Sequence, residues 1–221
     1  MKKLFIFGAG GAGRELLEVI EYINTPQKWE LSGFSDADAR KIHSCCGYPV
    51  ITEDELLHYN EPVDVVISVA LPSAREKIFN KLSRSSNINF PTIINPATEI
   101  SKRAKISDGV VVGANCHICT DVVIGKCVFI NGLCAVGHDA VIGDFSSIMT
   151  FSLIAGNTKI GKRVFIGAGS NIVQGLSVGS DSIICAGSVV MRNVGEGEKV
   201  IGNPAKVIDK LIRVGDNYPL E

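Results

Sequence analysis

The sequence predicts a two-part fold: a small Rossmann-like α/β unit over residues 1–92, followed by an all-β solenoid over residues 93–221. Three observations predict it. Seventeen consecutive hexads, from the one opening at Ile94 to the one opening at Val190, each begin with Ile or Val. Ahead of them, short β-branched or aromatic runs alternate with stretches of helical spacing. A glycine cluster, Gly8-Ala9-Gly10-Gly11-Ala12-Gly13, stands between the first such run and the first helical stretch.

The elements of the first part follow in order. Leu4 to Phe7 is a strand, and Gly8 to Gly13 a turn. Arg14 to Ile23 is a helix, because Leu16, Leu17, Ile20 and Ile23 recur at helical spacing. Leu31 to Phe34 is a second strand, and the Cys45-Cys46 pair falls in a loop. Thr52 with Glu55 three residues on makes a capping box for a helix to about Tyr59. Asp64 to Ala70 is a third strand. Pro72 to Leu82 is a helix whose proline sits where a missing N–H costs nothing. Thr92 to Asn95 leads into the solenoid. The result is a parallel sheet with crossover helices.

In the second part a strict period of six, with a β-branched apolar residue at each opening, marks short flat faces wound into coils. Three hexads, 18 residues, close one triangular coil, so nearly six coils stack. Glycine recurs at the second hexad position (Gly113, Gly125, Gly137, Gly143, Gly161, Gly167 and Gly179), read here as tolerance of unusual φ at a corner. Many fifth positions are small or modest (Ala104, Cys116, Ala140, Ser146, Ser152, Thr158, Ser170, Ser182 and Ser188), as a narrow interior requires. Cys116 and Cys134 occupy fifth positions and are expected inside. The cysteines read as core or wall residues of a reduced, cytoplasmic protein. Cys116-His117-Ile118-Cys119 lacks the second pair a zinc site needs. After Val194 the pattern stops, and Gly202-Asn203-Pro204-Ala205-Lys206 opens a tail expected to cap the last coil.

Composition narrows the function. The 221 residues are 46% hydrophobic and 20% charged, with a formal net charge of −1, which argues against nucleic-acid or polybasic membrane partners. The opening Met1-Lys2-Lys3 with its short apolar run reads as a buried strand rather than a signal peptide. No run approaches the ~20 apolar residues of a membrane span.

His138 is the outstanding residue for chemistry. It takes the third position of its hexad, near a corner and facing out. A reaction that activates an amine or hydroxyl needs a proton acceptor, and an imidazole (unperturbed pKa ~6.5) is suited to that task at neutral pH. Asp139 is placed to fix its tautomer, provided the corner geometry or a neighbouring subunit brings the two side chains together. The 18-residue coil puts Thr120, His138 and Gly156 in one column, with coils ~4.8 Å apart. Gly156, small and expected to be exposed, suits a carbonyl-oxygen contact. In the first part, Gly8, Gly10 and Gly13 form a phosphate cradle at a helix N-terminus. Asp36 closes the second strand, where an acid can meet a ribose. From these residues alone a nicotinamide cofactor is allowed.

The hexads, Gly8 to Glu15, Gly33-Phe34-Ser35-Asp36, Arg75-Glu76-Lys77-Ile78 and Ile201 to Lys206 together resemble the hexapeptide-repeat sugar O/N-acyltransferases. The branch is that of the sialic-acid O-acetyltransferase and the bacillosamine-pathway acetyltransferase. The resemblance covers about residues 3 to 210. It implies a left-handed β-helix, acetyl-CoA as co-substrate, no metal, and a nucleotide-linked sugar as acceptor, a UDP-linked amino sugar in first place. It implies His138 as general base and Gly156 as an acyl-donor contact, with Asn131 lining the acceptor site and Asp36 near the nucleoside. Ala168 and Ala186 would line the coenzyme A groove, and Lys206 would meet a coenzyme phosphate. Two positions depart from the pattern. Ser147 stands at a donor-contacting position where many relatives have His, and Ala12 replaces another common His. The flat faces of a triangular prism predict a homotrimer with the site in a cleft between adjacent solenoids. Two rivals exist. A zinc hydratase of the γ-carbonic-anhydrase kind needs three converging histidines, whereas His117 and His138 are out of column. A non-catalytic nucleotide-sugar sensor or scaffold would bind the nucleotide without depending on His138.

Overall fold

A computed structural model describes residues 1–26 and 28–208. The far end of the tail, and with it the end of the predicted second part at residue 221, lies outside the described residues. The first part is a six-stranded sheet built from β1 (Lys2–Phe7), β2 (Trp29–Ser35), β3 (Ser44–Cys45), β4 (Tyr48–Ile51), β5 (Val63–Ile67) and β6 (Ile88–Asn89). Their order is β3-β4-β2-β1-β5-β6, parallel except for the β3–β4 hairpin. Three helices accompany it: α1 (Gly11–Ile23), α2 (Glu53–Leu57) and α3 (Pro72–Leu82). The strand order reverses between β1 and β5, which opens a crevice at their carboxyl ends, where open α/β sheets receive ligands.

The helix signals hold. Thr52 and Glu55 form both halves of the capping box, and Pro72 opens α3. The Cys45-Cys46 segment is a hairpin rather than a loop. Its tight turn places Cys46 at φ 52° and Gly47 at φ 81°, and two-residue hairpins need such angles. Periodicity over so few residues carried no signal of it.

The second part is a left-handed parallel β-helix. Two-residue strands repeat every six residues and pair in register with strands 18 residues on, making three sheets that are the faces of a prism. We number the faces by their members: face 1 holds Phe129–Ile130, face 2 Ala135–Val136 and face 3 Val141–Ile142. The hexad-opening residues form one continuous core, from Val112 and Ile118 through Val190. Cys116 and Cys134 lie inside, each 2% exposed. Fifth-position side chains bond along the prism: Ser146 Oγ donates to Gly161 O (2.8 Å), Ser152 Oγ to Gly167 O (3.1 Å) and Cys116 Sγ to Asn131 O (3.1 Å). Most of these atoms find an acceptor on the next coil, while Thr158 Oγ1 donates to Ala155 O (2.6 Å) within its own.

Two details differ from the sequence reading. The second-position glycines do not have positive φ. That conformation belongs to the fourth positions, such as Asn115, Leu133, Asp139, Phe151 and Asn157. The second positions are glycine because the next coil passes too close. A Cβ on Gly137 would lie 2.5 Å from Gly156 N, and one on Gly113 would lie 2.5 Å from Gly132 N. The last coil is also shorter by two residues, since Val178 bridges Val194 and Ile183 pairs with Lys199. Beyond it, Lys199–Ile201 and Lys206–Val207 form an antiparallel pair across the end.

Candidate active site

His138 and Asp139 occupy the corner between faces 2 and 3. Asp139 takes a left-handed backbone (φ 59°), which an aspartate tolerates better than most residues. That turn rotates its carboxylate back toward its neighbour, and His138 Nδ1 lies 2.8 Å from Asp139 Oδ2. A carboxylate only accepts, so Nδ1 carries the proton, and in the neutral ring Nε2 keeps its lone pair. Both side chains are half exposed, at 51% and 52%. The pair is therefore an oriented imidazole open to solvent.

Gly156 sits one coil beyond His138 in the same column, as the in-register pairing of their preceding strands requires. It is buried, not exposed as the sequence reading had it. The cover is the imidazole itself. A Cβ on Gly156 would come 2.7 Å from His138 Nε2 and 2.8 Å from Cε1. The glycine is the floor on which the ring lies, which puts the free Nε2 directly over its backbone.

On the other side of His138 a groove of about 520 Å³ runs toward the first coils, lined by Glu99, Ser101, His117, Cys119, Thr120 and His138. His117 Nδ1 is 3.2 Å from Glu99 Oε2. Sequence reading passed over this pair because it sought three histidines in column. Among the described residues no cluster of three metal-ligating side chains occurs.

The other expected residues separate into groups. The glycine turn is at the sheet's ligand-receiving edge: Gly8 has φ 107°, and a Cβ there would lie 2.6 Å from Ser68 Oγ. Gly10 caps α1 without a side-chain cap, and Gly13 lies in its first turn beneath Gly8. Among the described residues α1 has no side-chain cap, an arrangement suited to phosphate. Asp36 Oδ2 accepts from Ala9 N (2.7 Å) and Oδ1 from Asp38 N (2.9 Å). Its carboxylate therefore shapes the glycine turn first, and only its remaining lone pairs are left for a nucleoside. Asn131 closes a face-1 strand, its Oδ1 accepting from Gly132 N at 2.8 Å.

Ala168 and Ala186 are exposed, but they lie on the corner between faces 1 and 2. Within one protomer the structure does not bring them to His138. Lys206 is exposed beside Arg192 and Glu198 in a hollow of about 230 Å³ at the end of the prism. Ser147 is corrected outright. It is 0% exposed, on the part of face 1 that the α/β part covers, and it bonds to Arg75 and Ala70 O. It has no access to a coenzyme.

Comparisons with known proteins agree with this architecture. Residues 3–82 match the PglD N-terminal domain, and residues 157–192 the hexapeptide repeat of succinyl-transferase. The acetyltransferase domain of PglB from Neisseria gonorrhoeae FA1090 is 29% identical, with a TM-score of 0.86 over 94% of this chain and 100% of that one. The same domain is also solved in complex with acetyl coenzyme A (26% identity, TM-score 0.65, 94% and 99% covered). WeeI from Acinetobacter baumannii AYE is 25% identical, with a TM-score of 0.86 and coverage of 94% and 100%. A mutant of perosamine N-acetyltransferase from Caulobacter crescentus, in complex with CoA and GDP-perosamine, shares the fold at 24% identity, TM-score 0.76, with 95% and 98% covered. A search of curated proteins gave no match.

Fold and matches together define a hexapeptide-repeat acyltransferase. Its N-terminal α/β part is of the PglD kind. Over nearly its whole length the chain is similar to hexapeptide sugar acetyltransferases of the bacillosamine-pathway type. No helix among the described residues is long and apolar enough to cross a membrane.

Proposed function

We propose that this chain transfers the acetyl group of acetyl-CoA to the amine of a nucleotide-linked sugar, with His138 as general base. The observation that carries the reading is the oriented imidazole, with Nδ1 tied to Asp139 and Nε2 free over Gly156. The sugar nitrogen attacks the thioester carbonyl carbon while Nε2 takes its proton. The C–N bond forms, the C–S bond breaks, and the coenzyme leaves as a thiolate that the imidazolium can protonate. The backbone of Gly156, adjacent to Nε2, is placed to meet the carbonyl oxygen as charge develops there. The relatives that share the whole architecture support this donor and acceptor class. One PglB structure holds acetyl coenzyme A, and the perosamine enzyme holds CoA and GDP-perosamine. Glu99 at the far end of the 520 Å³ groove favours an amino sugar over a neutral hydroxyl acceptor, because a carboxylate attracts the ammonium form. A UDP-linked amino sugar remains our first acceptor.

The test is incubation with acetyl-CoA and a panel of UDP-, GDP- and dTDP-linked amino sugars, read as acetyl gain by mass spectrometry. Product with at least one amino sugar is expected, and its absence with all of them would sink the reading. Asp139→Asn tests the pair, since asparagine also accepts a left-handed backbone. We expect kcat to fall by about 10- to 100-fold, short of the ~10⁴ seen when a buried triad acid is lost, because this corner is half solvated.

The working site is proposed to span two protomers of a homotrimer. The α/β part packs on face 1, where Ala9, Leu16 and Leu17 share a cluster with Val111 and Phe129. His138 stands at the opposite corner, between faces 2 and 3, so a second copy is needed to bring a nucleotide cradle to it. Leu133 (46% exposed) and Phe151 (65%) stack on the corner between faces 1 and 2, with Leu153 (42%) beside them on face 2. Large apolar side chains in an exposed column mark an interface. Light scattering is expected to show a trimer, and Phe151→Asp a smaller species with acetyl transfer largely lost. A fully active monomer would rule out the shared site.

A further inference from the structure

Arg75 is the largest fully buried side chain among the described residues, at 1% exposure. It carries a charge, and every acceptor around it is neutral. Nε donates to Cys127 O (2.7 Å). Nη1 donates to Val69 O (2.6 Å) and Ala70 O (3.1 Å). Nη2 donates to Phe145 O (2.6 Å), Ser146 O (2.9 Å) and Ser147 Oγ (2.8 Å). Ser147 Oγ in turn donates to Ala70 O. Burial pulls the guanidinium pKa down to about 9, which leaves it charged at neutral pH.

These acceptors lie in three pieces of chain. Val69 and Ala70 form the loop after β5. Cys127 and Phe145 are equivalent corner residues of two successive coils, and Ser147 begins the face-1 strand next to them. A buried cation held only by carbonyls and a hydroxyl is costly. Two apolar surfaces can adhere without one. What this arrangement adds is geometry: a planar fork with fixed donor directions ties one loop to two coils at once.

The loop it holds borders the crevice between β1 and β5. Ser68, at its start, sends Oγ to Phe7 O (2.8 Å) and Gly8 O (3.2 Å), and so supports the glycine turn. A continuous path of bonds therefore runs from the solenoid corner through Arg75, Val69, Ala70 and Ser68 to Gly8. Next to Arg75 on α3, Glu76 Oε1 pairs with Arg163 at 3.1 Å, and Phe79 meets Phe145 edge-on at 5.4 Å. The helix start carrying Arg75-Glu76 is the polar dock between the two parts, beside the apolar contact of Leu16 and Leu17 with face 1.

We infer that Arg75 is a positioning residue for acetyl transfer: its fork, with Ser147, sets where the nucleotide crevice stands relative to the solenoid. The inference rests on the acetyltransferase reading above. A rigid link matters because remote binding of the nucleotide accelerates the reaction only if it delivers the sugar amine to the base in the right place. A misplacement of about 1 Å can cost about 10²-fold.

The test compares two acceptors in the full chain: the nucleotide-linked amino sugar and the same free amino sugar at high concentration. The free sugar reacts at the solenoid without help from the crevice. In Arg75→Lys the ratio of kcat/KM, linked over free, is expected to fall about 10²-fold. Ser147→Ala, which keeps the guanidinium and its carbonyl partners, should move the ratio the same way by less. If Arg75 only stabilises the fold, both acceptors lose rate in proportion and the ratio stays put, which overturns the inference. A second readout does not depend on turnover. Amide hydrogen exchange of residues 68–71 should quicken in both variants while the core of the solenoid keeps its protection. Unchanged exchange in that loop also overturns it. Failure of the acetyltransferase reading looks different, because the unmodified protein would then transfer to neither acceptor.

Discussion

Replacing His138 by alanine is expected to lower kcat by about 10²- to 10⁴-fold, the usual worth of a positioned general base. The fold should be untouched. The side chain is half exposed, sits on a corner rather than in the prism, and has Asp139 as its hydrogen-bond partner. The KM for acetyl-CoA should change little, since the imidazole is proposed to act in the transfer step and not in binding the coenzyme. Steady-state kinetics beside a thermal melt checks both halves. A variant that keeps more than half of the parent kcat would remove His138 from the reaction, and the sensor reading would then gain.

Gly156→Ala should produce the next largest loss, about 10²-fold, through displacement of the base. The backbone there has no positive φ, so alanine adds no conformational strain. The atoms its Cβ would meet are the Nε2, Cε1 and Cδ2 of His138, at 2.7, 2.8 and 3.0 Å. That ring ends a side chain free to rotate into solvent, so the variant folds while the imidazole swings off its floor. A double-mutant cycle makes the argument sharp. In the His138→Ala background, Gly156→Ala should cost almost nothing further, because the clash has gone. If the two losses add in full, the added methyl acts independently of His138 and not by unseating the base.

The two variants also show why part of the site was legible in the sequence and part was not. The 18-residue period is a ruler, and counting it places Gly156 over His138 without a structure. The same count could not say which of the two covers the other. Gly156 was expected to be open because glycine is small, yet it is buried because the imidazole lies down on it. The pairing of His138 with Asp139 needed a corner bend, and only the backbone at Asp139 supplies it. The second-position glycines were recognised as necessary, but for the wrong cause. Their constraint is the passage of the next coil, a contact between residues 19 apart, such as Gly137 and Gly156.

Ser147 marks the boundary most clearly. Its place in the hexad is periodic, and periodicity says it points away from the prism. It does, but the α/β part covers that stretch of face 1, and Arg75 reaches across to it. No pattern within either part encodes how they dock, because docking joins residues some seventy positions apart through side chains of unlike type. The sequence by itself determined the prism, its period and the sheet that precedes it, and it singled out the histidine proposed as the base. Those follow from short-range repetition and local capping, which act wherever the chain runs. The tertiary structure alone decided which face is covered, which residues lose access to solvent and how the nucleotide crevice is held against the solenoid. Those depend on surfaces that exist only after both parts have folded.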